Sequence, residues 1–119
     1  MAVSALLASM LLAQTPAPAT TVDVAYDDLM AGKAAAAIDK IEHSMTRDHP
    51  AALINLGVAY ARVGRTADAR AMFEAAANSD ERCRLEMSGG QWMDSRDLAR
   101  RALAMLDKGA FTSAQLAAR

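Results

Sequence analysis

Apolar residues recur at spacings of three and four from about residue 24 onward, which is the pattern of amphipathic helices. The first such segment is Val24–Leu29, and Gly32 interrupts it. A second amphipathic helix is predicted over Ala34–Met45. Its apolar stripe consists of Ala34, Ala37, Ile38, Ile41 and Met45.

The third predicted helix carries recognisable signals at both ends. It runs from about Ala51 to Val63. Asp48 can cap its start, and Pro50 suits the first turn because the missing N–H costs nothing there. Gly64 then suits the left-handed position just beyond the last turn. The sequence therefore predicts a helix that stops in a tight turn.

The C-terminal half is predicted to contain two helices, and the segment between them has a different sequence pattern. A fourth helix is predicted over Thr66–Ala77, with Thr66 as its N-cap. At about 82–93, charged and apolar residues alternate around the turn sequence Ser88-Gly89-Gly90, which favours a short β-hairpin or an extended loop. A last helix follows from Ser95 to about Lys108, and 110–119 is predicted to be a tail.

The N-terminal residues 1–21 have the composition of an export signal and linker. An uncharged apolar run precedes small residues and prolines, and cleavage is expected between Ala13 and Thr20. The run is shorter than the ~20 residues that span a bilayer, so no permanent membrane span is predicted. A periplasmic or secreted location follows; a frayed alanine-rich tail is the alternative, because no Lys or Arg precedes the run.

Composition narrows the function classes. The chain has 13 Lys and Arg residues against 14 Asp and Glu, so nothing in its net charge favours nucleic acid as a partner. Hydrophobic residues make up 53% but aromatics only 4%, and the alanine excess favours closely packed helices. Cys83 is the only cysteine, which excludes an intrachain disulfide.

A helical repeat is indicated by residues spaced alike in two places. Gly64 is followed at offsets of five and nine by Ala69 and Phe73, and Gly32 is followed at the same offsets by Ala37 and Ile41. The complete motif consists of Leu53, Leu56, Gly57, Tyr60, Gly64, Ala69, Phe73 and Ala76. This pattern resembles the tetratricopeptide repeat (TPR), a unit of about 34 residues that pairs two antiparallel helices.

The resemblance implies a mainly all-α fold of TPR-like antiparallel helical hairpins, a fragment of an α-α superhelix. Within a helical domain at 22–109, a degenerate repeat would occupy about 22–48, a full repeat about 50–81 and a C-terminal cap about 82–109. Leu53 replaces the usual Trp, and Glu81 stands where the closing Pro would fall. Single repeats cannot bury their apolar faces alone, so either the cap or a homodimer must cover the open end.

In the TPR family the first helix of each repeat lines a concave groove that holds a peptide. By resemblance the groove candidates here are Ile54, Asn55, Val58, Ala61 and Arg62. Asn55 and Arg62 could hold an extended peptide or a carboxylate, since they offer amide and guanidinium donors. The alternative is that both are solvated surface residues.

Enzymatic chemistry finds little support in the sequence. His43 and His49 lie six positions apart, and with Cys83 they match no metal-ligand or nucleophile motif. No catalytic residue, metal site or cofactor is predicted, and the internal methionines are assigned to the core. The sequence thus predicts a non-enzymatic scaffold that binds a protein or peptide. The alternative is an assembly protein that homodimerises or docks on an envelope complex without a peptide ligand.

Overall fold

A computed structural model describes Val22 and residues 24–111 of the chain. The predicted signal peptide and linker at 1–21 lie outside these residues, as does the segment 112–119. The described part is mainly helical, with a small two-stranded antiparallel sheet. Its elements are α1 (Tyr26–Met30), α2 (Ala34–Glu42), α3 (Pro50–Arg62), α4 (Thr66–Ala77), β1 (Arg84–Glu86), β2 (Trp92–Asp94) and α5 (Ser95–Asp107).

Helix α2 is shorter than its apolar stripe predicts. It ends at Glu42, and the chain then turns through residues 43–48 before α3 begins. Met45 therefore leaves the stripe and is completely exposed, and Met30 at the end of α1 is exposed as well, so the assignment of these two residues to the core is wrong. The buried face of α2 is formed by Ala34, Ala37 and Ile41, as the helical spacing predicts.

Helix α3 is the centre of the fold, since every residue from Pro50 to Tyr60 is buried. Its N-cap is His49, whose Nδ1 accepts from the backbone N–H of Ala51 at 3.2 Å. The predicted cap, Asp48, is wrong by one position. His49 can take this role because an imidazole nitrogen can accept the same hydrogen bond that a carboxylate would.

The turn between α3 and α4 is built around Gly64, whose φ of 82° is left-handed, as predicted. The N–H of Arg65 returns to the carbonyl of Tyr60 at 2.9 Å, which closes the end of α3. Helix α4 starts directly afterwards, with Arg65 at the N-cap position and no side-chain cap. Thr66 is already inside the helix, so its predicted capping role is wrong.

Close packing of α3 on α4 depends on Gly57. A Cβ atom at this position would lie 2.5 Å from Cε1 of Phe73, so only glycine leaves room for the ring. Phe73 is fully buried and stacks on Phe111 with ring centroids 5.4 Å apart. Phe111 belongs to the core, although the sequence assigns it to the tail.

The predicted hairpin is present, with Leu85 opposite Met93 in its register. Asp94, at its end, caps α5 by accepting from the N–H groups of Arg96 and Asp97 at 3.0 and 3.3 Å. Helix α5 packs on α4 and α3 through a buried face. Trp92 is 59% exposed, so its ring does not lie buried beneath α5.

Candidate peptide-binding surface of helix α3

The five predicted groove residues do not form one open surface. Ile54, Asn55 and Val58 are fully buried, whereas Ala61 and Arg62 are half-buried. An open groove along the whole of α3 is therefore absent from the described structure, because the chain covers most of this helix with its own residues. Of the five candidates, Ala61 and Arg62, at the C-terminal end of α3, line a cavity.

Asn55 and Arg62 both hold the N-terminal segment of the chain. Asn55 Nδ2 donates to the carbonyl oxygen of Val24 at 2.8 Å. A guanidinium N–H of Arg62 donates to the carbonyl oxygen of Leu29 at 2.7 Å. The two side chains therefore bind main-chain atoms of a neighbouring segment, which is the type of contact that holds a bound peptide.

The spacing of these two donors explains why they can act together. Positions 55 and 62 are seven residues apart, which is about two helical turns, so both side chains lie on one face roughly 10 Å apart. The segment from Val24 to Leu29 runs in the same direction as this part of α3, since its earlier residue meets Asn55 and its later residue meets Arg62.

Side chains of the segment add an apolar and a charged contact. Leu29 is fully buried and Ala25 nearly so. A carboxylate oxygen of Asp28 lies 2.7 Å from Nζ of Lys40 on α2. The segment is thus held by main-chain carbonyls, by a leucine and by an acid.

A cavity of about 270 Å³ opens where α3 and α5 end. Helix α5 runs antiparallel to α4, because Arg70 near the start of α4 pairs with Asp107 at the end of α5, and Arg96 near the start of α5 donates to the carbonyl of Ser79 beyond the end of α4. Helix α3 is also antiparallel to α4 across the Gly64 turn, so α3 and α5 run in the same direction. The lining residues are Ala61, Arg62, Gly64, Thr66, Leu106, Gly109 and Phe111. Burial lowers the pKa of Arg62, yet a guanidinium stays charged in proteins. The cavity therefore combines apolar walls with one cation.

Two cavity residues could not be assigned to a site from the sequence. The sequence places Leu106 within the last predicted helix, and it places Phe111 in the predicted tail beyond Gly109. The single aromatic residue after that glycine was the available indication that the core continues past α5. Its burial against Phe73 gives the cavity an aromatic wall.

Tyr60 joins α2 to α3 next to this surface. Its hydroxyl donates to the carboxylate of Glu42, and the guanidinium of Arg65 lies 4.3 Å from the centre of its ring. Burial, followed by the hydrogen bond with Glu42, raises the pKa of Tyr60 to about 12. Tyr60 therefore stays protonated and serves as a structural link.

The residues considered for enzymatic chemistry serve in separate parts of the fold. His43 Nδ1 lies 2.8 Å from the carbonyl oxygen of Asp39, and His49 caps α3. Burial raises the pKa of the Cys83 thiol, which disfavours the nucleophilic thiolate. Among the residues that the structure describes, no group of three or more His, Cys, Asp or Glu side chains is placed to hold a metal ion.

Comparisons of the chain with protein-family models, with curated proteins and with solved structures gave no match. Within residues 24–111, none of the helices combines the length and the apolar character that crossing a bilayer requires.

Proposed function

We propose that this protein is a non-enzymatic interaction module of the TPR type, which binds a protein or peptide segment through the Asn55–Arg62 half of α3 and the adjoining cavity. The observation that carries this proposal is the pair of side chains, Asn55 and Arg62, that already bind main-chain carbonyls of another segment. A surface that holds one peptide segment in this way has the donors to hold another.

Three features favour the TPR assignment. The α3–α4 hairpin has Gly57 under the Phe73 ring and a left-handed Gly64 at its turn. Helix α5 packs beyond α4 and runs in the same direction as α3, as the first helix of a following repeat would. Export to the periplasm or out of the cell belongs to the same proposal and rests on the composition of residues 1–21.

Arg62 would orient a ligand at the cavity. Its guanidinium is a charged, forked donor, and it already donates to one main-chain carbonyl, that of Leu29. A ligand carbonyl or carboxylate could accept from it while an apolar side chain contacts Leu106 and Phe111.

The test is capture of partners from a periplasmic extract by the full chain, with the double variant Asn55→Ala/Arg62→Ala and the single variant Arg62→Ala for comparison. Arg84→Ala is the matched control, because Arg84 is an exposed arginine on β1 outside the cavity. The proposal expects capture to fall at least about tenfold for Arg62→Ala, which corresponds to 1.4 kcal/mol, and to stay unchanged for Arg84→Ala. Equal capture by the wild type and the double variant would exclude this surface.

The burial of Ile54, Asn55 and Val58 favours a second candidate, an assembly protein that forms a homodimer or docks on an envelope complex without a peptide ligand. Sedimentation velocity over a range of concentrations separates the two. A sedimentation coefficient that rises with concentration supports a homodimer, whereas a monomer at all concentrations leaves peptide binding as the favoured function.

A further inference from the structure

Helix α1 depends on its neighbours for stability. It has five residues, whereas isolated helices shorter than about 12–15 residues are marginal in water. Its N-cap residue Ala25 adopts a left-handed conformation with φ of 50°, which is strained for a residue with a Cβ atom. No side chain caps its first turn. Contacts with α2 and α3 must therefore keep it in place.

Those contacts are the ones a separate peptide could make. Two of them use main-chain carbonyls, at Val24 and Leu29, which any sequence offers. Side chains add further contacts, since Leu29 is buried and Asp28 meets Lys40. Gly32, with φ of 75°, joins the segment to α2, and a Cβ atom built at this position would meet no atom within 4 Å. Glycine at this joint gives the backbone the conformational freedom that movement of the segment away from α3 requires.

We propose that the segment 24–30 is a built-in ligand of α3, and that an external partner carrying an acidic residue followed directly by leucine displaces it. This inference rests on the proposed function and names the chemistry of its ligand. The Asp28-Leu29 pair is the template: the leucine fills the buried site, the acid pairs with Lys40, and the main-chain carbonyls accept from Asn55 and Arg62.

Binding of the segment 24–30 to α3 of its own chain lowers the apparent affinity for an external partner. An external ligand can enter only when α1 is displaced, so its apparent dissociation constant equals the intrinsic constant divided by the fraction of chains in which α1 is displaced. Weakening the built-in segment should therefore strengthen binding of an external one. If α1 were merely a structural part of the binding surface, weakening it would not strengthen the binding of an external ligand.

The first experiment uses a fluorescent synthetic peptide of residues 24–32 and the full chain, with binding measured by anisotropy. The chain variant Leu29→Ala is expected to bind the peptide at least about tenfold more tightly than the wild-type chain. The matched control is Met30→Ala, which shortens an exposed neighbour and should leave the affinity unchanged. A peptide carrying Leu29→Ala should not compete. Absence of binding to a Leu29→Ala chain that retains its helical circular dichroism would overturn the inference.

The second experiment needs only the wild-type chain, so it decides the matter even where Leu29→Ala fails to fold. The N–H groups of Leu29, Ala31 and Lys33 are hydrogen-bonded within α1 or just beyond it. Their hydrogen exchange is expected to be at least about a hundred times faster than that of Leu53 in α3, because α1 opens without global unfolding. Equal protection of α1 and α3 would overturn the inference.

The capture assay separates this inference from the function on which it rests. Arg62-dependent capture of a partner, combined with no binding of the segment peptide, would overturn the inference and leave the proposed function standing. Binding of the segment peptide to Leu29→Ala, with no Arg62-dependent capture by any form of the chain, would overturn the proposed function and support recognition of the segment.

Discussion

The guanidinium of Arg62 donates to the carbonyl oxygen of Leu29 at 2.7 Å, so a side chain of α3 holds the main chain of α1 across 33 positions of sequence. This bond lies beside the cavity that Arg62 also lines. One residue therefore links the internal packing of the N-terminal segment to the surface proposed for partners.

Replacing Arg62 with alanine should weaken the fold as well as partner binding. Loss of a hydrogen bond from a charged group predicts a decrease of about 1–2 kcal/mol in the free energy of unfolding. Urea denaturation followed by circular dichroism measures it. Arg62→Lys should retain part of this stability, because a lysine can still donate to the Leu29 carbonyl. A stability unchanged by Arg62→Ala would contradict the bond.

Gly57→Ala should destabilise the α3–α4 hairpin by about 1–3 kcal/mol, since the added methyl group overlaps the buried Phe73 ring. Gly89→Ala is the matched control, because a Cβ at Gly89 meets no atom within 4 Å. Thermal unfolding of the two variants provides the comparison. The double variant Gly57→Ala/Phe73→Leu should recover part of the lost stability, because leucine leaves room for the added methyl group. Equal melting temperatures for the Gly57→Ala and Gly89→Ala variants would refute the packing of Gly57 under Phe73.

Tyr60 should make stability fall at high pH. Its pKa of about 12 in the folded chain lies above the ordinary value of 10.0, so the folded state holds the proton more tightly. The resulting stability is fully present below pH 10 and is lost as the pH rises from 10 towards 12. The expected decrease in the free energy of unfolding over this pH range is of the order of 1–2 kcal/mol.

Urea denaturation on both sides of this pH window, for the wild type and Tyr60→Phe, measures the effect. The phenylalanine variant should lack this part of the decrease. Tyr26→Phe serves as a control for the removal of a hydroxyl group elsewhere. Identical pH profiles for the wild type and Tyr60→Phe would show that the Tyr60 proton does not contribute.

Removing residues 91–119 should leave a chain that aggregates or unfolds without cooperativity. Helix α5 buries Leu98, Ala99, Ala102 and Leu106, and Phe111 stacks on Phe73. Their loss would expose the apolar side of α4 to water. Calorimetry tests this expectation, and a truncated chain with a sharp unfolding transition would exclude a capping role for α5.

Trp92 should be readily quenched by acrylamide, since it is 59% exposed and is the only tryptophan in the chain. Its fluorescence reports on β2 alone, so no correction for other indole groups is needed. A quenching constant close to that of a free tryptophan derivative is expected. Strong shielding of the ring in the isolated monomer would contradict the exposed hairpin.

The helical architecture could be predicted because apolar spacing, Gly64 and Pro50 act locally along the chain. The hairpin was also predictable, since alternation and Gly89-Gly90 are local features. The exact ends of helices were harder to predict from the sequence, because neighbouring groups compete for the same capping position. His49 caps α3 in place of Asp48, and α2 ends before Met45.

The binding surface was only partly predictable, for a physical reason. Helical spacing shows that Asn55 and Arg62 share one face, but it cannot show what packs against that face. The occupant is a segment about thirty positions earlier, brought there by the tertiary fold. Phe111 illustrates the same limit, because its core position depends on a long-range contact with Phe73.

Peptide binding at α3 is tested most directly by nuclear magnetic resonance. A peptide selected from a random library against the full chain would be titrated into isotope-labelled protein, and the backbone amide shifts would be mapped. Changes confined to α1, the Asn55–Arg62 half of α3 and the cavity around Leu106 are predicted. Changes centred on the hairpin around Trp92, with α3 and the cavity unaffected, would contradict a peptide-binding role for α3.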